Sequence, residues 1–232
     1  MLLKPEDHQR ISAAIEAVEA RTSGEVVGVV ARQSGDYWET PLAWAGGTAL
    51  IAPAIAIMAG LRPSMLSGLP GMSDAWTVAH VGGADAAVTQ ALTTFVLVQA
   101  ALFVLTALIV SIRPLRRLLT PSALKREHVH RRAEEQFVAQ GLHQTTHGMG
   151  VLIFASLAER RAVVLADKGV AAKVGPEAWT AVVNALVAGM KARDPGAGFA
   201  AAIEKAGAIL AEHCPRRPGD TNELPDTVIE LE

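Results

Sequence analysis

The chain has 232 residues, of which 50% are apolar, 19% charged and 4% aromatic, with a formal net charge of -2. This apolar content excludes an intrinsically disordered chain. A single cysteine, Cys214, excludes an intramolecular disulfide. Because the small net charge gives no broad positive field, we expect no nucleic-acid partner.

Residues 1–38 are polar and predict the first part of a folded domain. Pro5 begins an amphipathic helix in which Ile11, Ile15 and Val18 recur at helical spacing. The β-branched run EVVGVVA at 25–31 then has the length and composition of a strand. One helix and one strand cannot bury a core, so we expect their partners further along the chain.

Two long uncharged segments interrupt the polar sequence. Residues 40–61 are 22 residues without a charge, and residues 86–112 are 27. At about 1.5 Å per residue, each exceeds the roughly 20 residues that cross a hydrocarbon core. Buried core helices are the alternative, but the second segment has no polar stripe. We therefore predict two transmembrane helices joined by a loop at 62–85.

The distribution of positive charge predicts the orientation of these helices. Only Arg62 lies in the loop between them. Basic residues precede the first helix and follow the second: Lys4, Arg10, Arg21, Arg32, Arg113, Arg116, Arg117, Lys125, Arg126, Arg131 and Arg132. By the positive-inside rule we expect both termini to be cytoplasmic and the loop to be external.

The remainder of the polar domain is predicted over 113–215. A charged helix is expected at 115–140, with Gly141 placed to end it. Two apolar runs at 149–156 and 161–167 then predict an antiparallel hairpin.

Two further amphipathic helices follow the hairpin. One begins at Pro176 and contains Trp179, and the last contains Phe199 and ends near Pro215. Residues 216–232 are polar and predict a flexible tail.

These elements predict an α/β fold in which helices sandwich a small mixed sheet, interrupted by the two-helix transmembrane hairpin. The first strand needs the strands of the later hairpin beside it, so both parts of the domain must lie on one side of the membrane. An even number of membrane helices satisfies this requirement.

Four segments, in this order, resemble the TPM domain. They are residues 22–30 (TSGEVVGVV), residues 150–170 (GVLIFASLAERRAVVLADKGV), the Trp179 helix, and Pro215 followed by 222–226 (NELPD). More narrowly, the chain resembles bacterial membrane proteins in which a transmembrane hairpin splits such a domain, and this resemblance implies that it is an integral protein of a bacterial inner membrane. The resemblance implies an α/β/α sandwich. Plant members have been described as acid phosphatases, and some bacterial members bind calcium or related cations in an acidic pocket.

The acidic positions that match the family are Glu25, at the start of the first strand, and Asp167, after the second strand of the hairpin. The resemblance implies that they are ligands of Ca²⁺ or another divalent cation. Two carboxylates form only half of a site for such a cation, so backbone carbonyls and water would complete it. Asp167 before Lys168 and Gly169 fits a turn equally well.

The sequence leaves two classes of function open. It contains no P-loop, nucleophile elbow, HExxH motif or paired cysteines, so we expect no nucleotide cofactor. The first class is a cytoplasm-facing binding or scaffolding module with a divalent-cation site. Its expected partners are the lipid bilayer and an unidentified membrane or cytoplasmic protein. The alternative is a metal-assisted, acid-phosphatase-like hydrolase.

Overall fold

A computed structural model of the chain describes residues 2–60, 83–145, 148–218 and 222–232. Two compact units make up the chain: Met1–Asp36 with Pro121–Glu232, and Tyr37–Thr120. The predicted loop at 62–85 lies outside the described residues, apart from its last three.

The helices and strands follow one another in an order close to the prediction. They are α1 (Pro5–Glu19), β1 (Glu25–Ala31), α2 (Glu39–Met58), α3 (Gly83–Ser111), α4 (Arg113–Leu119), α5 (Ser122–Ala139), β2 (Gly150–Ser156), β3 (Arg161–Ala166), α6 (Lys168–Ala171), α7 (Thr180–Lys191), α8 (Pro195–His213) and β4 (Val228–Leu231). Short 3₁₀ turns at Leu142–Gln144 and Pro176–Trp179 precede β2 and α7.

The first unit contains a four-stranded mixed sheet in the order β3-β2-β1-β4. β1 runs parallel to β2, with Glu25 opposite Gly150, and parallel to β4, with Gly28 opposite Val228. β2 and β3 form the predicted antiparallel hairpin. All residues of β1 and β2 are buried, as expected of central strands covered on both faces.

Helices cover both faces of the sheet, which confirms the α/β/α arrangement. On one face, Val26 and Val30 of β1 pack with apolar side chains of α1, α7 and α8. On the other face, Val27 and Val29 pack with α5. Successive side chains of β1 therefore enter opposite halves of the core, because side chains alternate along a strand.

Two details differ from the sequence prediction. The helix expected at 115–140 is broken, since α4 ends at Leu119 and α5 begins at Ser122. Thr120 between them is extended (φ -69°, ψ 127°), the conformation favoured before a proline such as Pro121. The segment expected to be a flexible tail forms β4 at its end, and β4 pairs with the second half of β1.

The second unit contains the two apolar helices α2 and α3, which pack against each other, followed by α4. Apolar residues such as Leu50, Ile55, Leu92 and Leu108 are exposed on α2 and α3. Within the unit, the hydroxyls of Thr40 and Thr120 lie 3.1 Å apart and share a hydrogen bond.

Candidate functional site: an acidic cleft

An acidic cleft opens at the amino-terminal end of β1, where the end of α1 meets the segment that leads into β4. It has a volume of about 300 Å³. Its lining residues are Glu16, Glu19, Ala20, Thr22, Glu25, Arg216, Asn222 and Asp226. Four of these side chains are carboxylic acids and one is a cation, so the cleft concentrates negative charge.

Glu19, in the last turn of α1, is the residue most affected by this environment. Its Oε1 accepts a hydrogen bond from the backbone amide of Val26 (3.1 Å). Its Oε2 is buried and finds no donor among the described residues. When this carboxyl is protonated its O–H becomes a donor, and Asp226 is the side chain with which Glu19 shares a hydrogen bond.

These surroundings raise the pKa of Glu19. Burial raises it most, and the shared hydrogen bond with Asp226 and the charges of Glu25 and Asp226 raise it further. The amide of Val26 opposes these effects, and the pKa rises from 4.5 to about 9. Glu19 is therefore protonated at neutral pH.

Hydrogen bonds fix the other side of the acidic cleft. Glu25, which is 8% exposed, accepts a hydrogen bond from the backbone amide of Glu223 (3.1 Å). The side-chain amide of Asn222 donates to Asp226 Oδ1 (2.6 Å), and its oxygen accepts from the amide of Leu224 (3.1 Å). The turn at 222–226 is thus tied both to itself and to the start of β1.

The donor chemistry of the acidic cleft suits a hard cation, because Ca²⁺ and Mg²⁺ prefer carboxylate and amide oxygens. The arrangement is not that of a closed metal centre. Across the described residues, no group of three or more His, Cys, Asp or Glu side chains is placed to hold a metal ion. Uptake of a cation would therefore require Glu19 to lose its proton and the hydrogen-bonded side chains around it to rearrange.

Asp167 lies at the same end of the sheet as Glu25 but outside the acidic cleft. Its backbone amide donates to the carbonyl of Gly150 in β2 (2.8 Å), so β2 separates it from β1. Neighbouring strands are about 4.8 Å apart, which places the two backbones roughly 10 Å from each other. The Asp167 side chain accepts a hydrogen bond from the amide of Lys168 (2.7 Å) and caps α6. This contact accords with the turn alternative, and a ligand role for either residue stays a prediction.

The sequence prediction missed Glu19 and Asp226. Glu19 belongs to an amphipathic surface helix, and nothing local separates it from Glu16 one turn earlier. Asp226 falls in the motif that carries the TPM resemblance, yet in a segment expected to be a mobile tail. The run VIEL at Val228–Leu231 is a signal for a strand that would fix the preceding acidic turn, but at four residues it is a weak one.

Comparison with known proteins identifies the fold. No protein-family model matches the chain. No curated protein matches it significantly.

Among solved structures, the chain is similar to the NMR structure of the BA42 protein from the psychrophilic bacterium Bizionia argentinensis. The TM-score is 0.54 at 19% sequence identity, over 98% of this chain and 94% of BA42. BA42 has a TPM-domain fold. At this identity the similarity shows a TPM-like fold and carries no activity over to this chain.

Proposed function

We propose that the chain is a membrane-anchored binding module that takes up a divalent cation in the acidic cleft. The observation that carries this proposal is the buried carboxyl of Glu19 beside Glu25 and Asp226, with a pKa of about 9. A proton there compensates for carboxylates held close together. A divalent cation could do the same and would interact with all of them at once.

Competition between proton and cation makes the proposal specific. Because Glu19 is protonated below pH 9, a cation that binds it must displace a proton. The apparent affinity should then rise about tenfold for each pH unit up to pH 9. In this proposal Glu19, Glu25, Asp226 and Asn222 supply the oxygen ligands.

Calorimetric titration of the full chain in nanodiscs of zwitterionic lipid tests the proposal. Ca²⁺, Mg²⁺ and Mn²⁺ are titrated at pH 7.5 in two buffers that differ in ionisation enthalpy. We expect saturable binding with release of about one proton per cation. A folded protein that binds none of the three ions would refute the proposal.

Matched variants locate the site. Glu19→Gln should abolish the released proton and weaken binding, because an amide carries no displaceable proton at this position. Asp167→Asn should leave binding unchanged, since Asp167 lies outside the acidic cleft. The reverse result, with loss only in Asp167→Asn, would move the site to the start of α6.

We also propose that α2 and α3 are the anchor. Both are long and apolar enough to cross a membrane. Only 22% of the residues in the most apolar stretch of α2, and 6% in that of α3, are buried. A core helix of a soluble protein would be mostly buried. The basic residues that flank the two helices favour cytoplasmic termini. We propose a bacterial inner membrane because the resemblance to bacterial membrane proteins with a split TPM domain implies it.

Cysteine labelling tests this topology. Cys214 is 1% exposed and burial raises the pKa of its thiol, so the native cysteine reacts slowly. A cysteine introduced at Met72 should react with an impermeant maleimide added to intact cells. One introduced at Arg217 should react only after permeabilisation, and the opposite pattern would reverse the topology.

The alternative proposal, a metal-assisted hydrolase, has less support in the acidic cleft. A phosphate ester would meet four acidic side chains and the single cation Arg216 of the lining. The hydroxyl of Thr22 is buried and makes hydrogen bonds with Gly24. Phosphate release by the purified chain that disappears in Glu19→Gln would support hydrolysis, whereas release that persists would indicate a contaminant.

A further inference from the structure

A groove lies at the first half of β3, on the opposite side of the sheet from β4. It is open, has a volume of about 590 Å³ and lies between α5 and α7. Its lining residues are Arg126, Glu127, Val129, His130, Arg160, Arg161, Ala162, Val163, Val183 and Val187. We refer to these residues as the β3 groove.

The outer edge of β3 presents unused backbone hydrogen-bonding groups, at Ala162 in the lining of the β3 groove and at Val164 and Ala166 further along the same edge. The amide of Asp167 donates to the carbonyl of Gly150, so these two residues form a hydrogen-bonded pair. In an antiparallel ladder such pairs alternate with non-hydrogen-bonded pairs, so every second residue of β3 is not bonded to β2. In that alternation the amides and carbonyls of Ala162, Val164 and Ala166 point away from β2. Within the described part of the chain, none of them makes a backbone hydrogen bond on the outer side. Such an edge is a template for another strand.

The positive charge of the β3 groove favours an acidic occupant. It contains three arginines and one glutamate, and His130 already pairs with Glu134 (3.3 Å). Arg126, Arg160 and Arg161 form no ion pair with any carboxylate that the structure describes. An occupant with carboxylates would therefore find cations that the fold itself does not use.

The two sides of the β3 groove differ in chemistry. Arg126 lies on α5, and Arg161 projects to the same face of the sheet as Val163, which packs in the α5 cluster. On the α7 side the groove is lined by Val183 and Val187. An added strand has alternating faces, so its acidic residues would face α5 and its apolar residues would face α7.

We propose that the β3 groove binds an extended peptide segment of a partner protein, with acidic and apolar residues in alternation, as a fifth strand of the sheet. Main-chain hydrogen bonds to Ala162, Val164 and Ala166 supply the pairing, and the arginines supply the selection for acidic residues. This site is separate from the acidic cleft and does not depend on cation binding.

Fluorescence anisotropy of labelled peptides tests the proposal on the full chain in nanodiscs of zwitterionic lipid. The probes are eight-residue peptides with Glu or Asp at alternate positions and Val, Ile or Ala between them. The control peptides carry Lys in place of the acids. We expect saturable binding of the acidic set only, weakened by about tenfold when salt rises from 50 to 500 mM.

Two pairs of variants separate backbone pairing from charge. Val164→Pro removes one outward amide without touching the ladder to β2, and it should abolish binding, whereas Val164→Thr keeps the amide and should bind normally. Arg160→Ala with Arg161→Ala should weaken binding by about tenfold, whereas Arg193→Ala, an exposed arginine elsewhere, should not. Hydrogen exchange at Ala162, Val164 and Ala166 should slow when peptide is bound.

Several outcomes would overturn the proposal. One is the absence of binding by every acidic peptide to a folded protein. Another is equal binding of the Lys peptides. A third is self-association that disappears in Val164→Pro, which would show that a second copy of the chain occupies the edge.

Discussion

The two edge strands of the sheet are held in different ways. At β4, Glu230 accepts hydrogen bonds from the amides of Leu2 (2.7 Å) and Leu3 (3.1 Å) and pairs with His8 (2.8 Å). At β3, every residue is only half-buried, and the nearby arginines remain unpaired among the described residues. The first residues of the chain thus meet β4 at one edge of the sheet, whereas the described residues leave the backbone groups on the outer side of β3 unpaired.

The surfaces near the two edge strands also differ in charge. The acidic cleft lies beside the turn that leads into β4, and the β3 groove carries arginines. A nearly neutral chain therefore has two sites of opposite sign in one domain. Net charge alone, at -2, conceals this separation.

Removal of β4 should have the largest effect on stability. A chain that ends at Thr227 loses the buried Val228 and the half-buried Ile229 and Leu231. We expect unfolding to become easier by about 3–5 kcal/mol, from roughly 1.5–3 kcal/mol for each fully buried apolar side chain. Thermal unfolding of the full and shortened chains in nanodiscs measures the difference. An unchanged transition would show that residues 228–232 are a flexible tail after all.

Neutralisation of Glu19 should have the second-largest effect on stability, and this effect should depend on pH. The folded pKa of about 9 lies above the ordinary 4.5, so Glu19 favours unfolding progressively as pH rises from 4.5 to 9. After allowance for solvent screening, we expect Glu19→Gln to be more stable than the natural chain by about 1–2 kcal/mol at pH 8.5.

Urea unfolding at pH 5 and pH 8.5 measures this effect. At pH 5 the two proteins should have nearly equal stability. Glu16→Gln, one turn earlier on the exposed side of α1, is the control and should behave as the natural chain at both values. A difference that is the same at both pH values would contradict the protonation of Glu19.

Loss of the Glu230 carboxylate should have a smaller effect on stability than that of Glu19, with the opposite dependence on pH. Burial alone would raise the pKa of Glu230, but the hydrogen bonds from Leu2, His8 and Leu3 outweigh it and lower the pKa below 4.5. Its stabilisation is therefore complete above pH 4.5 and fades as pH falls below that value.

We expect Glu230→Gln to cost about 1 kcal/mol at pH 7 and to release the amides of Leu2 and Leu3 to faster hydrogen exchange. Glu232→Gln, on the exposed last residue, is the control. Slow exchange at both amides in Glu230→Gln would mean that the N-terminal residues are held by other contacts.

Arginine removal at the other edge should have the smallest effect on folding. Arg160→Ala with Arg161→Ala should change the free energy of unfolding by less than about 0.5 kcal/mol, as is usual for surface substitutions away from special features. Urea unfolding at pH 7 measures it. A loss above 1 kcal/mol would show that the fold itself uses these cations.

The sequence predicted the strands with strong local signals and missed those without them. β1 occupies the residues expected, because EVVGVVA contains four valines within seven residues and is bounded by Gly24 and polar residues. β4 is only four residues long and follows Pro225, so its hydrophobic pattern is too short to stand out. Its place in the sheet depends on pairing with β1, some 200 residues earlier.

The acidic cleft escaped prediction for the same reason. Glu19 and Asp226 lie far apart in the sequence and meet only because β4 pairs with β1. Glu25 was found through its match to the family motif. Pro121 was the one strong local signal overlooked, and it breaks the helix between α4 and α5.

The pairing of Glu25 with Gly150 sets an order of events during synthesis. The ribosome adds about 5–20 residues per second, so β1 waits roughly 6–25 s before β2 emerges, and longer before β4 does. During that time both apolar helices have left the ribosome. The sheet of this domain therefore assembles only after α2 and α3 have been synthesised, and until β2 emerges β1 is an unpaired, aggregation-prone strand.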